Sequence, residues 1–190
     1  MKKFLAILIL IFTPPTSSQA DDIRDFQIEG ISLGDSLLDY LSEEKIKSLR
    51  KEYYPKSKKY YRLYNFKKGN ELTTYDFLDV HVKENDKKYI VESVNGVMDY
   101  KNNIHECYAK KREIAEEISS ILGKLKKESY VYNYPNDKGK SDITDFIYSN
   151  GAIRIWCTDY SEKREKDNWD DHLSVTASSM KFLNWLNTAQ

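Results

Sequence analysis

The chain has 190 residues, with 30 basic against 30 acidic side chains, two cysteines and three histidines. Setting aside the first twenty residues, which carry Lys2 and Lys3, leaves a net charge of about −2, and this excludes a global electrostatic pull toward nucleic acid or a membrane surface. The length is one domain's worth and enough to bury a core.

Residues 1–20 have three parts. Lys2 and Lys3 are followed by an unbroken apolar run, 4–12, and then by a polar stretch, 13–20, broken by Pro14 and Pro15. Ser18 and Ala20 stand at the −3 and −1 positions of a cleavage site. This is the secretory signal-peptide pattern. The apolar run is shorter than the roughly 20 residues that span hydrocarbon, so it does not read as an anchor. No cysteine follows the site, which argues against a lipid anchor. The expected product, 21–190, is exported, periplasmic or extracellular, with no transmembrane span.

An extended segment is expected over 26–31. Gly34-Asp35-Ser36 then forms a turn and N-cap before a short helix, 37–41, because a short polar side chain can accept a bond from free first-turn N–H groups. Ser42 caps a second helix, with Glu43 and Glu44 in its first turn, fading near Glu52. Strands follow at 60–66, 74–82 and 89–98, the last two forming a hairpin across the short polar stretch 84–88. In the second of these, Leu78, Val80 and Val82 share one face.

Residues 104–125 carry the strongest helical signal. Ile104, Cys107, Tyr108, Ile114, Ile118, Ile121, Leu122 and Leu125 fall on one apolar side, and Gly123 helps to end the helix. Asn150-Gly151 between two β-rich runs predicts a type I′ hairpin, with Tyr148 opposite Ile153 and Phe146 opposite Ile155. Phe146, Tyr148, Ile153, Ile155 and Cys157 then share one face, with Asp145 and Arg154 on the other. A charged excursion, 159–171, leads to a last strand, 172–178, and a terminal helix, 180–187. Phe182, Leu183, Trp185 and Leu186 form the apolar side of that helix.

The fold class is α+β, with antiparallel sheet packed against helices and one long amphipathic helix. The organisation is a single domain over 21–190, or two loosely repeated helix-plus-meander halves at about 26–98 and 99–190. Cys107 and Cys157 both point to a core, and an exported chain with two such cysteines predicts a helix–strand disulfide.

Chemistry is sparse. The nucleophile-elbow, metalloprotease, P-loop, dinucleotide and EF-hand motifs are missing, and no catalytic residue, metal site or cofactor is assigned. The histidines are His81, His105 and His172. Asp170-Asp171-His172 at a strand start could supply a general base, which makes a hydrolase the alternative reading. One stretch is strongly basic, 45–68, with interleaved tyrosines. Within it Lys56, Lys58, Lys59, Tyr60, Tyr61 and Arg62 form a candidate anion-binding patch, because cations beside aromatic faces suit anionic polymers or headgroups. The acids of 159–171 could instead pair with this stretch.

The segment IEGISLGDSLLDYLSEE, 28–44, resembles the opening of a family of small uncharacterised exported bacterial proteins that share an IEG-x-S-x-GDSLLDY motif. The likeness extends through NGVMDY (95–100), the Cys107 helix, GKSDITD (139–145), Cys157, WDDHLSV (169–175) and FLNWLN (182–187). It implies export and no particular activity. A fainter likeness, through a G-x-S-x-G-D-S turn that opens a helix pair ahead of a sheet, is to small periplasmic modules such as outer-membrane assembly lipoproteins and β-lactamase-inhibitor-like domains. Together these readings lead to an exported, non-enzymatic binding or interaction module of the cell envelope, with an envelope protein or an anionic polymer as partner.

Overall fold

The computed structural model describes residues 22–101, 103–122 and 125–189. The signal segment expected over 1–20 and Gly123 lie outside them. Among the described residues, no helix is long and apolar enough to cross a membrane.

The polypeptide opens with a small ribbon, β1 (Gln27–Ile28) and β2 (Ile31–Ser32). Ser36 accepts a bond from the Leu38 N–H, as expected of a cap, but the helix it starts is a single 3-10 turn, Leu37–Asp39. Ser42 caps α1 (Glu43–Ser48) by accepting from the Lys45 N–H. This helix ends before the expected boundary. Where it was expected to fade, near Glu52, the chain already forms β3 (Lys51–Tyr54), a strand rich in β-prone tyrosine.

Strands β4 (Ser57–Lys68), β5 (Phe77–Lys83) and β6 (Val91–Asp99) continue as an antiparallel meander. The long helix α2 (Ile104–Leu122) crosses to a second meander: β7 (Lys126–Asn133), β8 (Gly139–Ile147), β9 (Gly151–Tyr160) and β10 (His172–Ser179). A short helix, α3 (Glu162–Glu165), lies between β9 and β10, and α4 (Met180–Ala189) closes the chain. The large sheet has the order β3-β4-β5-β6-β10-β9-β8-β7, so the two meanders meet along β6 and β10. The architecture is α+β, as the sequence predicts.

One face of this sheet carries the main core. Leu63, Val80, Val94, Ile153, Ile155, Leu173 and Val175 point to it, and they meet Ile46 of α1 together with Cys107, Ala115 and Ile118 of α2. Cys107 and Cys157 are bonded, with Cα atoms 6.0 Å apart, tying α2 to β9. Closing a loop of this separation stabilises the fold by about 4 kcal/mol in the chain-entropy treatment. Ile121 departs from expectation: it is 77% exposed at the end of α2. Lys111, unexpected on the core side of the helix, is 5% exposed, and its ammonium donates to Asp142 at 2.6 Å. A buried lysine is tolerated where its charge finds such a partner.

The Asn150-Gly151 hairpin also differs in detail. Neither residue has positive φ, and the turn sits one residue earlier, with the Tyr148 N–H donating to the Gly151 carbonyl, so Phe146 pairs with Ile153 and Ile147 with Ala152. The pairing shifts by two residues, one full period of a strand, so the apolar face is preserved. Gly151 is required for a different reason: a Cβ there would lie 2.4 Å from the Ser178 carbonyl oxygen and 2.9 Å from Ile23. Asn150 is equally occupied, accepting from the Ile23 N–H, donating to Asp22 and taking the Met180 N–H on its carbonyl.

Candidate functional site

The alternation that sends apolar residues to the core sends the others to the opposite face. From β10 these are His172, Ser174, Thr176 and Ser178; from β6, Ser93, Asn95, Val97 and Asp99; from β9, Arg154 and Trp156. Helix α4 covers one part of this face. Its Phe182, Trp185 and Ala189 pack on Tyr60 in a second, smaller core, and Trp185 donates to Ser57. The rest is an open cleft of about 1150 Å³. It runs from Arg50, Tyr54 and Tyr64 on the β3 side to Asp145, Tyr160 and the loop residues Asn168, Trp169 and Asp170 on the other.

Two arginine–aspartate pairs flank it. Arg154 forms a two-pronged pair with Asp145, both bonds 2.8 Å, and also donates to the Tyr130 hydroxyl at 2.9 Å. Asp145 holds the guanidinium pKa above its ordinary value. Across the cleft Arg62 pairs with the fully buried Asp79, and its guanidinium lies 4.1 Å from the Tyr64 ring centre. The second oxygen of Asp79 accepts the Asn65 N–H at 2.8 Å, where β4 bulges. The floor between them is hydrogen bonded across strands: Thr176 donates to Asn95 at 2.6 Å, and Ser93 and Ser178 share a bond of 2.8 Å.

Aromatic rings form one wall. Tyr134 stacks on Tyr160, which meets Trp169 at 5.5 Å and His172 at 5.9 Å between ring centres. Trp169 is half exposed and lies under the Arg164 guanidinium at 4.1 Å. Burial pushes the Tyr160 hydroxyl up to about 12 and lowers the His172 pKa, favouring the neutral imidazole.

The sequence-derived candidates are placed as follows. His172 and Asp170 reach the cleft, but Asp171 does not: it is buried and accepts the Tyr160 N–H at 2.7 Å. Among the described residues, the one group hydrogen bonded to the His172 ring is the Asp170 backbone carbonyl, at 3.0 Å from Nδ1. Burial raises the pKa of Asp171, and of Asp99 on β6. His105 is exposed on α2. His81 is enclosed between Tyr54 and Phe182, and among the described residues its Nδ1 has no hydrogen-bond partner. Its pKa falls to about 3 through desolvation and the nearby Arg62. Among the described residues, no group of three histidine, cysteine or acidic side chains is placed to hold a metal ion.

The basic tyrosine stretch does not lie on one surface. Lys56 is in the β3–β4 turn, and Lys58 and Lys59 are exposed on β4. Tyr60 and Tyr61 are buried on opposite sides of the sheet, because adjacent strand residues point to opposite faces. Arg62 is held by Asp79. The acids of 159–171 turn elsewhere: Asp159 pairs with Lys140 and Asp170 with Lys101. Residues that sequence reasoning missed include Trp156, Asn95, Thr176 and Asp79. The signal for them was present in the polar members of each alternating strand. No family model, no curated protein and no solved structure matches the chain.

Proposed function

We propose that the chain is an exported, non-enzymatic binding module that holds a partner protein in the open cleft of its sheet. One observation carries this reading: a broad face rich in arginine, tyrosine and tryptophan is left uncovered, while the other face of the same strands is sealed by helices. These residue types supply most of the binding energy at protein interfaces. The two guanidiniums are already oriented by carboxylates and tyrosine rings, so little side-chain freedom remains to be lost on docking.

The pairing also disfavours an anionic polymer as ligand, since Asp79 and Asp145 offset the charges of Arg62 and Arg154. A hydrolase built on Asp170, Asp171 and His172 finds less support. Catalysis there would need a nucleophile or carboxylate side chain bonded to the imidazole. His172 is instead oriented by a backbone carbonyl, and Asp171 faces away. The disulfide, and the lack of a membrane-crossing helix among the described residues, are compatible with export.

The test is affinity capture from envelope and secreted fractions, comparing the wild-type chain with a Trp156→Ala, Trp169→Ala double variant. Proteins held by the wild type and released by the variant, at unchanged melting temperature, would support the reading. Equal capture by both chains would refute it.

A further inference from the structure

The two edges of the sheet are not alike. β3 is four residues long, its register shifts between Tyr53 and Tyr54, and Pro55 follows it. Each of these features is a device that keeps a free edge from pairing with another chain. β7, at the other edge, is twice as long and has no register shift, and its nearest proline, Pro135, stands beyond Tyr134, outside the strand. It runs eight residues without a bulge, proline or glycine, every residue is exposed, and Tyr130, Val131 and Tyr132 leave large apolar surface in solvent.

Its backbone polarity follows from the pairing with β8. The Tyr134 N–H donates to the Gly139 carbonyl, so Tyr134 and Gly139 are a hydrogen-bonded pair. In an antiparallel ladder such pairs alternate. With Tyr132 opposite Ser141 and Tyr130 opposite Ile143, the even positions of β7 bond to β8. The N–H and C=O groups of Lys127, Ser129, Val131 and Asn133 therefore point outward, along the open edge.

We propose that this edge pairs antiparallel with β7 of a second copy of the chain, extending the sheet across a two-fold axis. The strand is self-complementary about Tyr130. With the axis there, Ser129 faces Val131 of the second copy and Lys127 faces Asn133, each pair exchanging two bonds, about eight in all. Glu128 lies opposite Tyr132, and Lys126 opposite Tyr134. Lysines of the two copies fall at opposite ends of the paired strands, so no like charges meet, and lysine stems lie across tyrosine rings. A two-fold interface of this kind closes at two copies and leaves no β7 edge free. This inference is independent of what fills the cleft.

The experiment is sedimentation equilibrium of the disulfide-bonded protein over a wide concentration range. The average mass should rise with concentration toward twice the monomer mass. Val131→Pro removes one outward N–H without touching the bonds to β8, and should hold the mass at that of a monomer with its melting temperature nearly unchanged. Tyr130→Cys should give a dimer that cross-links on mild oxidation and separates on reduction, because directly opposed residues bring their Cα atoms within disulfide range. Ile121→Cys, exposed on α2 rather than on the paired strand, should not. A wild-type chain that stays monomeric at every concentration would overturn the proposal. So would a folded Val131→Pro chain that still dimerises, or a Tyr130→Cys chain that cross-links no better than Ile121→Cys.

Discussion

Adjacent residues of β10 meet opposite surroundings. Leu173, Val175 and Ala177 are sealed under α2 with the disulfide, while His172, Ser174 and Thr176 line an open cleft. The helix-covered face is apolar and stapled, and its job is stability. The open face is built from hydrogen-bonded polar groups, paired charges and aromatic rings, and only its end is closed, by α4. The same strands thus specify a core with one alternation and an open cleft, the proposed binding surface, with the other. Substitutions on the first face should change stability, and those on the second should change binding.

The largest stability effect is expected from replacing both Cys107 and Cys157 by Ala. Loss of the cross-link should lower unfolding free energy by about 4 kcal/mol, measurable by urea titration. Asp142→Ala comes next. It strands the Lys111 ammonium against the core, and the cost should be about 2–3 kcal/mol, moderated because Asp142 itself is partly exposed.

The third effect appears only in acid. His81 has a pKa of about 3 in the fold against 6.5 when unfolded, so below pH 6.5 the unfolded chain binds the extra proton. Its neutral form therefore leaves stability intact above pH 6.5 and erodes it as pH falls toward 3, by up to about 1.4 kcal/mol per pH unit. His172, also lowered by burial, acts in the same direction. Asp22, Glu29 and Glu43, whose pKa values are lowered, lose their contributions only at lower pH. Between pH 6.5 and 5 a His81→Phe variant should accordingly show a flatter stability profile than wild type. The smallest stability effect belongs to the cleft rim, where Trp169→Ala should shift unfolding free energy by less than about 0.5 kcal/mol.

Much of the fold was legible because burial enforces periodicity. Phe146, Ile153, Ile155 and Cys157 share a face in either hairpin register, since the pairing moved by a whole strand period. The same alternation already set Asp145 and Arg154 on the other face, which is where they meet. Two kinds of feature were not legible. β3 and β7 are edge strands with little buried apolar pattern, so charge-rich sequence hid them. Lys111 reads as a surface residue until Asp142, thirty-one positions away, is brought beside it. The cleft, too, depends on a long-range event: β6 and β10 must pair before Asn95 and Thr176 become neighbours. The basic stretch misled because a run of charges in sequence becomes two faces in a strand.

The claim that the open face is the binding surface can be tested most directly by site-specific photo-cross-linking in the producing cell. One chain carries the photoreactive residue at Trp169, on the cleft rim, and another at Ile121, more exposed still, on the helix-covered side. The account predicts a discrete cross-linked partner from position 169 and none from position 121. A partner captured from position 121 alone would contradict it.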